Sequence, residues 1–141
     1  MAAKLILDEE ERSERALVLY TDAVRTNEPI VAPPLLPIEV TNILRQRMRV
    51  QDGISVMEAT TLLDKFLALP FTIHNPSWLH REALALADTH GLPAAYDAHY
   101  LALAEHLGCE CWTDDQRLLR RVGDRLPFVR PIADYIPTFR T

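Results

Sequence analysis

The feature that most constrains this chain is an alternation of period. Short apolar segments closed by turn residues are separated by longer stretches of helical spacing. Pro29-Ile30-Val31-Ala32-Pro33 reads as a buried strand bounded by prolines. Phe71-Thr72-Ile73-His74 reads as a second, closed by Asn75-Pro76, and the alternating Cys109 to Thr113 as a third. Pro127-Phe128-Val129 fits a last edge strand. Between them lie predicted helices from Pro37 to about Arg49, Ile54 to Leu69, Ser77 to His90, Pro93 to a stop at Gly108, and Gln116 to Val122. An earlier helix, Glu9 to Arg25, carries Ala16, Leu17, Leu19, Tyr20, Ala23 and Val24 on one stripe. Parallel strands need long crossovers, and helices supply them, so the pattern predicts an α/β fold: a three-layer parallel sheet flanked by helices. With 141 residues, one domain spanning 1–141 is expected.

That architecture says where function should lie, because ligands of open parallel sheets bind beyond the carboxyl ends of the strands. The segments Pro34 to Glu39, His74 to Ser77 and Thr113 to Asp115 fall there. Composition narrows the chemistry. A net charge of −5 lacks the basic excess that coats nucleic acid non-specifically. The charge is uneven, however: residues 1–28 hold seven acids against four bases, and thirteen of the fifteen bases are Arg. Two Arg groups stand out, Arg45-Arg47-Arg49 and Arg117-Arg120-Arg121-Arg125. The planar fork of Arg suits phosphate, and a solvated helix face is the plainer explanation. No apolar run approaches the roughly 18 residues of a membrane helix. Acids from Asp8 to Glu11 leave no room for a signal peptide, so a cytoplasmic location is expected.

Four acids sit where a core, a cap or a helix dipole must explain them. Asp97 lies on a helix rich in Ala, Leu and Tyr, in line with Leu101 and Ala104. A carboxylate buried there would need a partner or a metal; a first-turn Asp leaning to solvent would need neither. Asp114 and Asp115 close the third strand, and either could cap the helix that follows, with Thr113 and Gln116 spaced as a capping box. Glu39 falls in the first turn of its helix, where the dipole alone would favour it. One joint explanation covers Glu39, Asp97 and Asp115. Converging carboxylates raise one another's pKa unless a cation neutralises them. A hard divalent ion, Mg²⁺ or Mn²⁺, suits such oxygen ligands and promotes phosphodiester hydrolysis.

The residues around those acids resemble a known family. Pro93-Ala-Ala-Tyr-Asp-Ala-His-Tyr-Leu-Ala-Leu-Ala-Glu105 and Cys111-Trp-Thr-Asp-Asp-Gln-Arg-Leu-Leu119 resemble the second half of a PIN domain, most closely the VapC-type toxins of toxin–antitoxin pairs. Pro37-Ile-Glu-Val-Thr-Asn-Ile-Leu44 resembles the acidic helix of that family. The resemblance implies a Mg²⁺-dependent endoribonuclease in which Glu39, Asp97 and Asp115 are catalytic and hold the metal. Asp97 would be the main ligand and Asp115 the acid of a Thr-x-Asp pattern. Thr113 would stand beside it, Asp114 in the variable middle position, and Asn42 one turn behind Glu39. It also implies an RNA substrate, a cognate antitoxin and, by analogy, a homodimer. Arg45, Arg49, Arg117 and Arg121 would face RNA phosphates.

The match departs from the family at its front. PIN domains open with a central strand ending in Asp, and Ala2 to Leu7 resemble the stretch after that strand. Asp8 reads as part of the acidic helix opening. The expectation is therefore an apparently missing first strand, with Met1 an internal start and the strand encoded upstream. A chain without it would be an inactive module that only binds an antitoxin or partner subunit. Cys109 and Cys111 suggest a zinc pair only weakly, since the five histidines lack finger-like spacing; two buried thiols on a core strand fit better. His99 and His106 read as packing or surface residues.

Overall fold

In the computed structural model, residues 18, 19 and 21–136 are described. The Leu5–Asp8 run and most of the helix expected from Glu9 lie outside them, while residues 21–25 are helical as predicted. The elements that follow are β1 (Ile30–Ala32), α1 (Leu35–Arg49), α2 (Val56–Leu67), β2 (Phe71–Ile73), α3 (Leu79–Thr89), α4 (Tyr96–Leu107), β3 (Cys111–Thr113), α5 (Gln116–Val122) and β4 (Val129–Pro131). A single 3-10 turn, Ile132–Asp134, ends the described chain. No helix among the described residues is long and apolar enough to cross a membrane.

Strands alternate with helices, so the α/β prediction holds. The sheet, however, comes in two halves. β1 pairs with β2 in parallel, Ile30 opposite Phe71 and Ala32 opposite Ile73. β3 pairs with β4 in parallel, Cys111 opposite Val129 and Thr113 opposite Pro131. Among the described residues no ladder joins the halves.

Local chemistry accounts for the boundaries. Ser55 caps α2, its hydroxyl accepting from the Glu58 amide at 3.0 Å. Asp52, in the left-handed region at φ 59°, breaks the chain after α1, where the Asp52-Gly53 pair predicted a stop. Gly108 closes α4 at φ 66°, a conformation that costs an L side chain energy. β4 begins two residues later than the predicted Pro127 start, because Val129 is the first residue to meet Cys111.

Three apolar clusters fill the interior. Leu36, Val40 and Leu44 of α1 meet Ala59 and Phe66 of α2. Leu79 and Ala83 of α3 pack on Ala98 and Ala102 of α4. Leu101 joins Leu118, Val122 and Val129. α4 thus presents buried residues on several sides, as its composition predicted. Each fully buried Leu contributes about 1.5–3 kcal/mol of transfer free energy.

Candidate metal-dependent active site

The carboxyl ends of β1 and β3 lead toward one acidic neighbourhood. Leaving β1, the chain turns at Pro33-Pro34 into α1, which carries Glu39 half-buried. Glu39 lies beyond the first turn of α1, not within it, because the helix starts at Leu35 and not at Pro37. Dipole compensation therefore does not explain it. Its Oε1 instead accepts a 2.6 Å hydrogen bond from the Tyr100 hydroxyl on α4. The phenol is held protonated, its pKa pushed up by burial first and then by its bond to Glu39.

Asp97 corrects an expectation. It sits in the first turn of α4 and is exposed, not enclosed by the apolar helix. Leu101 and Ala104, in line with it farther along α4, are buried, so its exposure comes from its place in the first turn and not from a solvent-facing stripe. The surrounding protein still strips part of its hydration. Its pKa is raised, by desolvation most, then by the charges of Asp115 and Glu39. Asp115 and Glu39 thus lie near enough to Asp97 for their charges to act on it, although the three come from α1, α4 and the β3–α5 turn.

Asp115 caps α5. Its Oδ1 accepts from the Arg117 amide at 3.0 Å and the Leu118 amide at 3.1 Å. Thr113, at the end of β3, holds the turn by accepting from the Asp115 amide at 3.1 Å. The expected capping box is thus replaced by an Asp cap with Thr113 bracing it. Asp115 is exposed, while its neighbour Asp114 is buried at 6% relative exposure. Asn42 is exposed and makes no hydrogen bond with Glu39 among the described residues.

Oxygen-only donors of this kind suit a hard divalent cation in type. Asp115 Oδ2 and Glu39 Oε2 are left over from the bonds just described. In placement the fit is incomplete: no group of three His, Cys, Asp or Glu side chains among the described residues stands close enough to hold a metal ion. The same holds against the zinc alternative. Cys109 is exposed and Cys111 half-buried, so the expected pair of buried thiols reduces to one.

Tyr100 is the residue that sequence reasoning passed over. It was counted only as one apolar member of α4, although its spacing three residues after Asp97 was a usable signal. Three of the histidines, His80, His99 and His106, are tied into packing. His99 donates from Nδ1 to the Ala95 carbonyl at 2.7 Å, which leaves its Nε2 to accept from His80 Nδ1 at 3.0 Å. His106 lies against Trp78 with ring centroids 4.0 Å apart.

An acidic neighbourhood at the carboxyl ends of short parallel strands, on an α/β scaffold, lies where such folds place their ligand sites. The family model of the PIN domain matches residues 2–124. The chain belongs to the PIN domain family, whose members are generally metal-dependent nucleases. No curated protein matches it.

Proposed function

We propose that the protein is a Mg²⁺-dependent endoribonuclease, with Mn²⁺ as an alternative ion, acting as the toxin of a toxin–antitoxin pair. The observation that carries this reading is the electrostatic coupling of Asp97 to Asp115 and Glu39 within a PIN-family chain. Glu39, Asp97 and Asp115 are the proposed catalytic and metal-holding residues. When bound, the divalent ion supplies an activated water and charge stabilisation at the phosphodiester. Asp97, carrying the raised pKa, is the carboxylate that gains most from a nearby positive charge. Tyr100 holds Glu39 in one rotamer and leaves its second oxygen available. Asp115, fixed by two amides, offers a preorganised Oδ2.

RNA phosphates are read as meeting exposed Arg45 and Arg49, one turn apart on α1, and Arg117 on α5. Arg121 donates to the Gly91 carbonyl at 2.7 Å, which makes it a weaker candidate than the sequence implied. A cytoplasmic setting, a cognate antitoxin and a homodimer complete the proposal, supported by the motif resemblance alone.

The test is cleavage of RNA by purified protein with and without Mg²⁺. Cleavage that requires the ion and is abolished by Asp97→Asn supports the reading; unchanged cleavage in that variant refutes the site. A second reading, an inactive binding module, is favoured by the absence of a ready three-ligand group among the described residues. Saturable Mg²⁺ binding by calorimetry excludes it.

A further inference from the structure

α3 packs along α4 through Leu79, Ala83, Ala98 and Ala102. On the solvent side of that seam, His80 of α3 and His99 of α4 bring two ring nitrogens face to face. His80 Nδ1 and His99 Nε2 are 3.0 Å apart, with the rings inclined at 62°. His99 is anchored by its other nitrogen, whose N–H donates to the Ala95 carbonyl at 2.7 Å. That bond fixes the tautomer, so Nε2 turns a bare lone pair toward His80. A ring tied through one nitrogen to a backbone carbonyl, with the other nitrogen bare, is the arrangement that orients metal-ligating histidines. The hydrogen bond between the two rings is itself exposed, where water offers equivalent partners and the bond adds little.

We propose that His80 and His99 form a two-imidazole site for a divalent transition ion, Cu²⁺ foremost and Ni²⁺ next, which staples α3 to α4. Spacing is the first support. Ring nitrogens 3.0 Å apart, each about 2.0–2.1 Å from a shared ion, subtend an angle of about 90° at it. Neighbouring ligands of a tetragonal ion meet at that angle, whereas tetrahedral Zn²⁺ asks for a wider one. Donor chemistry is the second. Imidazole suits Cu²⁺, Ni²⁺ and their neighbours, while Mg²⁺ takes oxygen ligands. Binding requires only a change of tautomer. The hydrogen on His80 Nδ1 is given up to water and one is taken on at Nε2, so both facing nitrogens present lone pairs and no net proton is released. His80 is exposed, which leaves that exchange open to solvent. Among the described residues no third His, Cys, Asp or Glu stands close enough to join the pair, so water fills the remaining positions. Asp97, two residues before His99 on α4, is therefore not a ligand here, and the site is separate from the one proposed for Mg²⁺.

The test reads binding and not cleavage, so its outcome is independent of the nuclease reading. It uses the untagged chain carrying Cys109→Ser, because the exposed Cys109 thiol would reduce Cu²⁺. Cu²⁺ binding is followed by calorimetry and electron paramagnetic resonance in that chain and in its His80→Gln, His99→Gln and His74→Gln variants, the last a histidine outside the pair. Circular dichroism checks that each is folded. The expected result is one Cu²⁺ per chain, coupled to two imidazole nitrogens and not displaced by excess Mg²⁺. Affinity should fall about tenfold or more in either pair variant and stay unchanged in His74→Gln. Thermal unfolding gives a second measure. Cu²⁺ at about 100 times its dissociation constant should raise the folded-to-unfolded ratio about a hundredfold, and about tenfold less in His80→Gln, whose exposed position leaves the packing of α3 intact. Coupling to a single nitrogen, tighter binding of Zn²⁺ than of Cu²⁺, or equal Cu²⁺ affinity in His80→Gln and its parent overturns the proposal.

Discussion

Asp115 is a helix cap and, in the proposed function, a metal ligand, and a pair of substitutions can pull the two roles apart. As the cap of α5 it satisfies two amides at 3.0 and 3.1 Å through one oxygen. Loss of such a cap costs about 1 kcal/mol, within a range of roughly 0.5–2. Asn caps nearly as well as Asp, because its carbonyl oxygen can take the same two bonds, so Asp115→Asn should move stability by less than about 0.5 kcal/mol. Asp115→Ala should lower the melting temperature by roughly 3–5 °C, and Asp115→Asn by little. Activity should follow charge and not capping. If the proposed site is right, both variants remove a charged metal ligand, and both should lose about 10–100-fold or more in Mg²⁺-dependent cleavage. The assays are thermal unfolding beside single-turnover cleavage of a labelled RNA. If Asp115→Asn cleaves like the parent while Asp115→Ala is merely less stable, Asp115 is a helix cap and no more.

Further expectations concern the same neighbourhood and its support. The raised pKa of Asp97 means that the folded state binds its proton more tightly than the unfolded state, so stability falls as pH rises above the ordinary value of 3.8. Asp97→Asn should therefore be more stable than the parent at neutral pH. Urea denaturation at several pH values should find that gain shrinking as pH drops toward 3.8. Tyr100→Phe removes the 2.6 Å bond to Glu39; a loss of about 1–3 kcal/mol is expected for a bond to a charged acceptor, trimmed toward the lower end by the partial exposure of Glu39, and is read in the same titration. Leu101→Ala, at a fully buried position where α4 meets α5 and β4, should cost about 2–5 kcal/mol, and an unchanged denaturation midpoint would contradict the packing described.

Much of the fold was legible because local signals agreed with tertiary demand. Gln116 to Val122 was bounded correctly since an acid precedes it and glycine follows. Ile30–Ala32 and Phe71–Ile73 were found because prolines and asparagine punctuate them. Sequence reasoning points to Glu39, Asp97 and Asp115 together, and the charges of Asp115 and Glu39 do act on Asp97, but the setting of each acid differs from the expectation. Asp97 is exposed while Leu101 and Ala104 on the same face are buried: it stands in the first turn of α4, and helical periodicity places a residue on a face without showing where along the helix the packing stops. The Tyr100–Glu39 bond spans residues sixty-one apart, a distance over which neither spacing nor composition carries information. Which strands pair depends on edges that meet in space, which the sequence pattern does not carry.

The position of Pro131 has a consequence for solubility. It sits at the end of β4, opposite Thr113, on the outer strand of its half-sheet. Lacking an N–H, it cannot extend a ladder at that end of the strand, which makes β4 a poor template for another molecule. Edge-to-edge association of this protein should therefore not propagate along the end of β4.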